Sequence, residues 1–227
     1  MRYQAVLFDL DGTLLDTLAD LAEASNRVLV GLGLKPFPVQ DYRYFVGSGV
    51  RHLVECILPK PLREREEDVD AAIAAFQQEY AKNWQIHTKP YDGIAELLDY
   101  LSAQEYRMGV LSNKPQHFTQ LCVETLLPAW RFHSVLGQRE GIPRKPHPAG
   151  ALETARLFAL PPSSILYVGD TGVDMRTAQQ AGMDAVGALW GFRDAEELRA
   201  TGAEVLVQTP QELIRFLAEP AVSEQIP

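Results

Sequence analysis

The chain has 227 residues, 46% of them hydrophobic, which is enough to fill the core of one large domain or of a main domain with a smaller insertion. Its 30 acidic and 21 basic residues give a formal charge of −9 without a dense basic run, so nucleic acid and anionic membranes are not expected partners. The two cysteines lack the CxxC spacing of zinc sites, no apolar run approaches a membrane span, and the first nine residues hold no secretory segment, so we expect a soluble cytoplasmic protein.

A short buried strand is predicted at 5–8, where four apolar residues run into a polar turn. Side chains alternate along a strand, so Asp9 and Asp11 point to the same side where the strand ends. Gly12 lets the backbone turn sharply and approach a ligand, and Thr13 offers a hydroxyl and a backbone N–H. The two carboxylates repel each other, which is expected to raise the pKa of one of them or to recruit a cation. An acidic turn in solvent would contain the same residues, so the choice depends on the rest of the chain.

The block at 16–87 shows helical periodicity and no predicted strand. Apolar residues recur at three- and four-residue steps, and one long helix is expected at about 63–84. The block is bounded by the first strand and by the turn at 90–93, which contains Pro and Gly. We therefore predict a helical cap domain at 16–87, inserted into a core formed by residues 1–15 and 88–227.

A flexible loop at 46–49 interrupts the helical block. Its glycines resemble a phosphate-binding loop, but it follows no strand and lacks the spacing of dinucleotide or Walker loops, so we interpret it as a cap loop that faces the core. Ser48 lies in this loop and Arg51 follows it. A guanidinium can bind a carboxylate through two parallel hydrogen bonds, so we expect Ser48 and Arg51 to select the substrate. The alternative is that Arg51 is an exposed helix residue.

Strands and helices alternate in the remainder of the chain. The predicted strands lie at 107–111, 134–136, 165–169, 184–188 and 205–207. Apolar strands that alternate with helices predict an α/β fold with a doubly wound, Rossmann-like parallel sheet. The tail at 219–227 is expected to be loose.

Polar residues follow several of these strands, and one lysine lies in a loop stiffened by prolines. Ligands of open parallel sheets bind beyond the carboxyl ends of the strands, so these side chains are expected to converge. A lysine, a serine and several carboxylates suit phosphoryl transfer, which depends on positioning and charge neutralisation. Each residue alone also fits a cap, a turn or an exposed lysine, and only the ordered set favours chemistry. The set is Asp9, Asp11, Ser112, Asn113, Lys145, Asp170 and Asp174.

Four segments together resemble the motifs of the haloacid dehalogenase superfamily. They are 9–13, 112–113, 145–146 and 169–174. The helical insertion resembles the C1-type cap of that superfamily, and the likeness extends over nearly the whole chain. Within the superfamily the chain is most similar to the phosphoglycolate phosphatase-like branch.

This resemblance implies how the site works. Asp9 would be the nucleophile that forms an aspartyl-phosphate, and Asp11 would be the general acid and then the base that activates water. Crowding by other carboxylates is expected to favour the protonated form of Asp11. The residues implied to hold the phosphoryl group are Thr13, Ser112, Asn113 and Lys145.

The resemblance also implies a magnesium site. Mg²⁺ would be bound by the side chains of Asp9 and Asp170 and by the backbone carbonyl of Asp11, while Asp174 would orient Lys145 or a metal-bound water. Such a cation is needed because a carboxylate attacks phosphorus only when the charge of the phosphate is neutralised.

The expected function is therefore a Mg²⁺-dependent phosphatase of a small phosphorylated metabolite, with 2-phosphoglycolate as the first candidate. A sugar phosphatase, a phosphonate hydrolase or a phosphosugar mutase would share these motifs. A phospho-acceptor signalling module is the alternative from another class, but it would need no helical insertion, whereas an enzyme that excludes water has use for a lid. Either a monomer or a homodimer is compatible with the sequence.

Overall fold

The computed structural model describes residues 2–219, so the expectation of a loose tail concerns residues outside this range, apart from Glu219. The strands are β1 (Ala5–Phe8), β2 (Leu15–Asp16), β3 (Lys89–Pro90), β4 (Arg107–Pro115), β5 (Ser134–Gln138), β6 (Ile165–Gly169), β7 (Asp184–Ala188) and β8 (Val205–Val207). The α-helices are α1 (Leu18–Gly31), α2 (Val50–Ile57), α3 (Lys60–Arg63), α4 (Glu66–Asn83), α5 (Ile94–Ala103), α6 (Gln116–Leu126), α7 (Ala149–Phe158), α8 (Gly172–Ala181), α9 (Ala195–Ala200) and α10 (Pro210–Ala218). Short 3-10 helices occupy Val39–Tyr44 and Pro162–Ser164.

Six strands form one parallel sheet in the order β5-β4-β1-β6-β7-β8. Helices cover both of its faces, so the predicted α/β fold with a doubly wound sheet is confirmed. Because all six strands run in the same direction, their carboxyl ends meet at one edge of the sheet.

The central strand β1 is buried on both faces. Val6 and Phe8 pack into one hydrophobic cluster, whereas Ala5 and Leu7 pack into another on the opposite face. All four side chains are inaccessible to solvent, which explains why this strand is continuously apolar rather than alternating. Burial of each large side chain contributes roughly 1.5–3 kcal/mol to the free energy of unfolding. Strand β1 therefore holds the residues that follow it in a fixed position.

The predicted helical block corresponds to α1–α4 and the first 3-10 helix, with two corrections. Leu15 and Asp16 form β2, which pairs antiparallel with β3, although no strand was predicted at this point. The helix predicted at 63–84 is divided, because α3 ends at Arg63 and α4 begins only at Glu66. We propose the β2–β3 pair as the boundary between core and cap, since it joins the chain where it enters and leaves the helical block.

Asp20, near the start of α1, connects this helix to the segment at His87 and Thr88 on the same boundary. Its buried carboxylate accepts hydrogen bonds from the backbone N–H of His87 at 3.0 Å, the N–H of Thr88 at 2.8 Å and the Thr88 hydroxyl at 2.7 Å. Hydrogen bonds to a buried charge are among the stronger ones in proteins. The start of α1 is therefore held to the segment that returns to the core.

Several predicted boundaries in the core shift. Strand β4 continues beyond 111 to Pro115, so Ser112 and Asn113 lie in its last part rather than after it. Helix α8 begins at Gly172 because Thr171 and Asp174 form a capping box, in which each side chain bonds the other's backbone N–H. Helix α9 was not predicted; its N-cap, Asp194, accepts a hydrogen bond from the Glu197 N–H.

Candidate active site

Asp9 follows β1 and meets Lys145, which reaches the site from the loop before α7. The Lys145 Nζ lies 2.9 Å from the Asp9 Oδ1 and 2.7 Å from the Asp174 Oδ1, and it also donates to the Leu111 carbonyl at 2.9 Å. The side chains of Asp9, Lys145 and Asp174 are all at most 5% exposed. The structure therefore brings together three of the predicted site residues in a buried, charge-assisted network.

Asp170, at the end of β6, completes a group of three buried carboxylates. One oxygen from each of Asp9, Asp170 and Asp174 lies within 4.8 Å of the others. Asp170 is oriented by the Thr13 hydroxyl at 2.8 Å and by the Phe192 N–H at 2.8 Å. An oxygen-only donor set of this kind suits a hard divalent cation.

Two glycines let the backbone approach Asp170 closely. A Cβ on Gly12 would collide with the Asp170 carboxylate, and one on Gly191 would collide with the Asp170 side chain. Gly12 also has a φ of +90°, a conformation that L side chains rarely adopt. The donor set and the close backbone approach fit a metal site at this point.

The charges in this group are only partly compensated. Burial, reinforced by the charge of Asp174, raises the pKa of Asp9 to about 7, although Lys145 acts in the opposite direction. Burial and the neighbouring carboxylates Asp174 and Asp9 also raise the pKa of Asp170. For Lys145, burial lowers the pKa, but Asp174 and Asp9 outweigh it and the net pKa is raised. One buried ammonium thus faces three carboxylates, an arrangement that a bound cation would stabilise.

Thr13 and Asn113 have partners other than those predicted. The Thr13 hydroxyl donates its only proton to Asp170, so it has none left for a phosphate group. The Asn113 amide accepts from the Lys145 N–H at 2.8 Å and donates to the carbonyls of Lys145 and Gly47, each at 3.1 Å. Both side chains therefore position other site residues: Thr13 holds Asp170, and Asn113 holds the Lys145 backbone.

A cavity of about 50 Å³ lies between the core site and the helical block. Asp9, Asp11 and Ser112 line its core side. Gly47 and Gly49 line the opposite side, so the loop at 46–49 faces the site as predicted. Ser48, predicted to select the substrate, is not among the lining residues.

Arg51, also predicted to select the substrate, does not line this cavity. Its guanidinium forms ion pairs with Glu66 at 2.9 Å and with Asp70 at 2.7 Å, both on α4. Arg51 therefore ties α2 to α4 on the surface of the helical block. The alternative reading of Arg51 as an exposed helix residue is the one that the structure favours.

Lys114 and Tyr80 are site residues that sequence reasoning missed. The Lys114 Nζ lies 2.9 Å from the Asp11 Oδ1, so Asp11 has a cation beside it that was not expected from the sequence. The Lys114 ammonium also lies 4.6 Å from the centroid of the Tyr80 ring, which belongs to α4. The position of Lys114 directly after Ser112 and Asn113 was a usable signal. Tyr80 lies on the apolar face of the helix predicted at about 63–84, and no local pattern relates it to the site.

The sequence model of the haloacid dehalogenase-like hydrolases matches residues 6–188, which include every predicted site residue together with Tyr80 and Lys114. The chain belongs to this family. The match covers most of the core and the whole helical block, so the superfamily inferred from the four motifs is confirmed.

Curated relatives extend the likeness to almost the full chain. A phosphoglycolate phosphatase of Aquifex aeolicus is 30% identical over 94% of this chain and 96% of its own length. A phosphoglycolate phosphatase of Xylella fastidiosa is 33% identical over 93% of this chain and 92% of its own. This chain is therefore an enzyme of the phosphoglycolate phosphatase-like branch of the haloacid dehalogenase-like hydrolases.

Solved structures agree with the fold. A protein of Lactobacillus delbrueckii, provisionally named phosphoglycolate phosphatase, superposes with a TM-score of 0.87 at 32% identity, covering 96% of this chain and 99% of its own. A haloacid dehalogenase-like hydrolase of Streptococcus pneumoniae gives 0.85 at 22% identity, covering 95% and 99%, and this likeness concerns the fold alone. Within residues 2–219, no helix has the length and apolar character needed to span a membrane.

Proposed function

We propose that this enzyme is a Mg²⁺-dependent phosphatase that hydrolyses a small phosphorylated metabolite, with 2-phosphoglycolate as the first candidate. The observation that carries the proposal is the position of Asp9, which contacts Lys145, belongs to the buried carboxylate group and lines the cavity beneath the helical block. The names of the curated relatives support the choice of substrate. The division into a core at 1–15 and 88–227 and a cap at 16–87 is part of the same proposal.

In the first step an Asp9 oxygen forms a bond to phosphorus while the bond from phosphorus to the ester oxygen breaks. The leaving oxygen takes a proton from Asp11, which lines the same cavity. In the second step Asp11 removes a proton from water, which attacks the aspartyl-phosphate and releases inorganic phosphate. Lys114 lies beside Asp11 and stabilises its carboxylate once the proton has gone to the leaving group.

The remaining residues neutralise and position the phosphoryl group. Lys145 supplies a buried positive charge next to Asp9, and Asp174 holds its ammonium in place. The Ser112 hydroxyl lines the cavity; it accepts from the Lys114 N–H at 3.2 Å and keeps its own proton for a phosphoryl oxygen.

The proposed metal is Mg²⁺, which would be held by the side chains of Asp9 and Asp170 and the backbone carbonyl of Asp11. When bound, it neutralises charge on the phosphoryl oxygens. Mg²⁺ is the proposed ion because hard cations prefer carboxylate and carbonyl oxygens and because it is commonly used with phosphate substrates.

The cavity lining favours a small acidic substrate over the other candidates. The cap side chains that line it are apolar except for Gln77 and the Tyr80 hydroxyl, whereas a sugar phosphate needs partners for several hydroxyl groups. A phosphonate hydrolase or mutase would need further polar cap residues at the same place. A signalling module needs no cap over its acceptor aspartate, so the helical block favours an enzyme over a signalling module.

The experiment is a phosphate-release assay over a panel of phosphorylated metabolites with Mg²⁺ present. We expect the highest kcat/KM for 2-phosphoglycolate, no turnover after exhaustive chelation, and none for Asp9→Asn. Absence of turnover on every ester would contradict the phosphatase proposal. A higher kcat/KM on a sugar phosphate would support the phosphatase reaction but contradict 2-phosphoglycolate as the substrate.

A further inference from the structure

We propose that Lys114 and Tyr80 form a subsite for a carboxylate that the substrate carries next to its phosphate ester. This rests on the proposed phosphatase function and replaces the role that the sequence assigned to Arg51. Lys114 comes from the end of β4 in the core, and Tyr80 from α4 in the cap, so the subsite forms where the two meet.

Lys114 is the cation of the cavity. Among the described residues that line it, only Lys114 carries a positive charge, and its side chain is only 4% exposed. Within residues 2–219, Asp11 is the single hydrogen-bond acceptor of its ammonium. An ammonium has three protons, so beyond the Asp11 bond and the Tyr80 contact at least one can be donated to a ligand. A buried cation with spare donors in a largely apolar cavity is a site for an anion.

Tyr80 supplies a second donor beside it. Its side chain lines the cavity, the residue is 1% exposed, and its hydroxyl proton has no acceptor within the described part of the chain. The ring is stacked on Phe76 with centroids 5.6 Å apart and meets the Phe118 ring edge-on at 5.1 Å. Buried hydroxyls normally donate a hydrogen bond, so a hydroxyl proton without an acceptor, on a ring held from two sides, points to a missing ligand.

A carboxylate fits these two donors better than a second phosphate. Its two oxygens match one ammonium and one hydroxyl, and its single charge suits a lysine that is already shared with Asp11. A phosphate dianion would bring more charge than this subsite offsets, because the other cap side chains at the cavity are uncharged. The proposed acid Asp11 contacts Lys114, so the carboxylate lies on the leaving-group side of the ester.

The first test compares 2-phosphoglycolate with 2-hydroxyethyl phosphate, in which an uncharged hydroxymethyl group replaces the carboxylate. The quantity measured is the ratio of the two kcat/KM values in Mg²⁺-loaded enzyme. We expect Tyr80→Phe to lower this ratio about 10-fold and Lys114→Met about 100-fold, mainly through KM, because a charged hydrogen bond is lost. Arg51→Met is the matched control: it removes a cap cation outside the cavity and should leave the ratio unchanged. Equal losses on both substrates would overturn the subsite.

The second test does not depend on turnover. Calorimetry measures Kd for 3-phosphonopropionate and for 3-hydroxypropylphosphonate, in which a hydroxymethyl group replaces the carboxylate, both with Mg²⁺. We expect the wild type to prefer the carboxylate at least about 10-fold and Tyr80→Phe to lose that preference. If no ester is hydrolysed but this preference exists, the phosphatase proposal fails and the subsite stands. If esters are hydrolysed but the preference is absent, the subsite fails alone. Circular dichroism shows whether Lys114→Met folds. If it does not, the result for Tyr80→Phe alone decides whether the subsite exists.

Discussion

The Asn113 side chain brackets the backbone of Lys145. Its Oδ1 accepts the Lys145 N–H at 2.8 Å, and its Nδ2 donates to the Lys145 carbonyl at 3.1 Å. The end of β4 thereby holds the loop that delivers the ammonium to Asp9. Asn113, predicted to contact phosphate, thus sets the position of Lys145.

This bracket predicts a catalytic defect without loss of any charged group. Asn113→Ala should lower kcat about 100-fold, because a shift of Lys145 by about 1 Å misplaces its charge relative to Asp9. Steady-state kinetics on the best substrate measure the effect. Gln116→Ala is the matched control, since Gln116 brackets β5 in the same way through the Gly137 N–H and the Val135 carbonyl but does not line the cavity. A similar loss of kcat in both variants would contradict a specific role for Asn113.

Substitutions of Asp9 and of Asp11 should impair different steps of the reaction. Asp9→Asn removes the nucleophile, so no phosphoryl-enzyme should form. Asp11→Asn keeps the shape of the side chain but cannot transfer a proton, and kcat on an alkyl phosphate should fall about 1000-fold while Mg²⁺ still binds. Rapid-quench detection of phosphoryl-enzyme and calorimetry with Mg²⁺ separate the two. Near wild-type turnover of Asp11→Asn would show that another group is the acid.

Metal binding should stabilise the fold more as the pH rises. Burial raises the pKa of Asp9 to about 7, above its ordinary value, so in metal-free protein the folded state binds more protons than the unfolded state between about pH 4 and 7. The free energy of unfolding therefore falls as pH rises through that window, and the pKa of Asp170 is raised in the same direction. Protonated carboxylates do not bind a cation, so the increase in Tm caused by Mg²⁺ should be small near pH 5 and largest near pH 8.

Thermal scans with Mg²⁺ and with chelator across this pH range provide the measurement. Asp170→Asn is the control that should abolish the increment at every pH. An increment that is constant across the range would contradict the assignment of the metal to these buried carboxylates.

The carboxylate of Asp20 should contribute strongly to stability. Asp20→Ala leaves the N–H groups of His87 and Thr88 and the Thr88 hydroxyl without their acceptor. We expect the free energy of unfolding to fall by about 3 kcal/mol, measured by urea titration. Asp41 is the matched control because it is exposed and Asp41→Ala should change stability by no more than about 0.5 kcal/mol. Equal effects of the two substitutions would mean that Asp20 does not fasten the boundary.

The sequence by itself determined the sheet and most of the candidate active site. Apolar strands that alternate with helices can pack only as a covered parallel sheet, and the carboxyl ends of such strands share one edge. The meeting of Asp9, Asp170 and Lys145 therefore follows from local patterns and one topological rule. The four motifs that carried the family resemblance lie at this edge for the same reason.

Only the tertiary structure decided which partner each polar side chain takes. Arg51 and Lys114 are both cations near predicted site residues, yet Arg51 turns to Glu66 and Asp70 on the surface of the cap, whereas Lys114 turns inward to Asp11. The difference depends on how α2 and α4 pack on each other and on the end of β4, which no local pattern encodes. Tyr80 shows the same limit: its spacing predicted a buried helix face, but the cavity beneath that face exists only once cap and core are in contact.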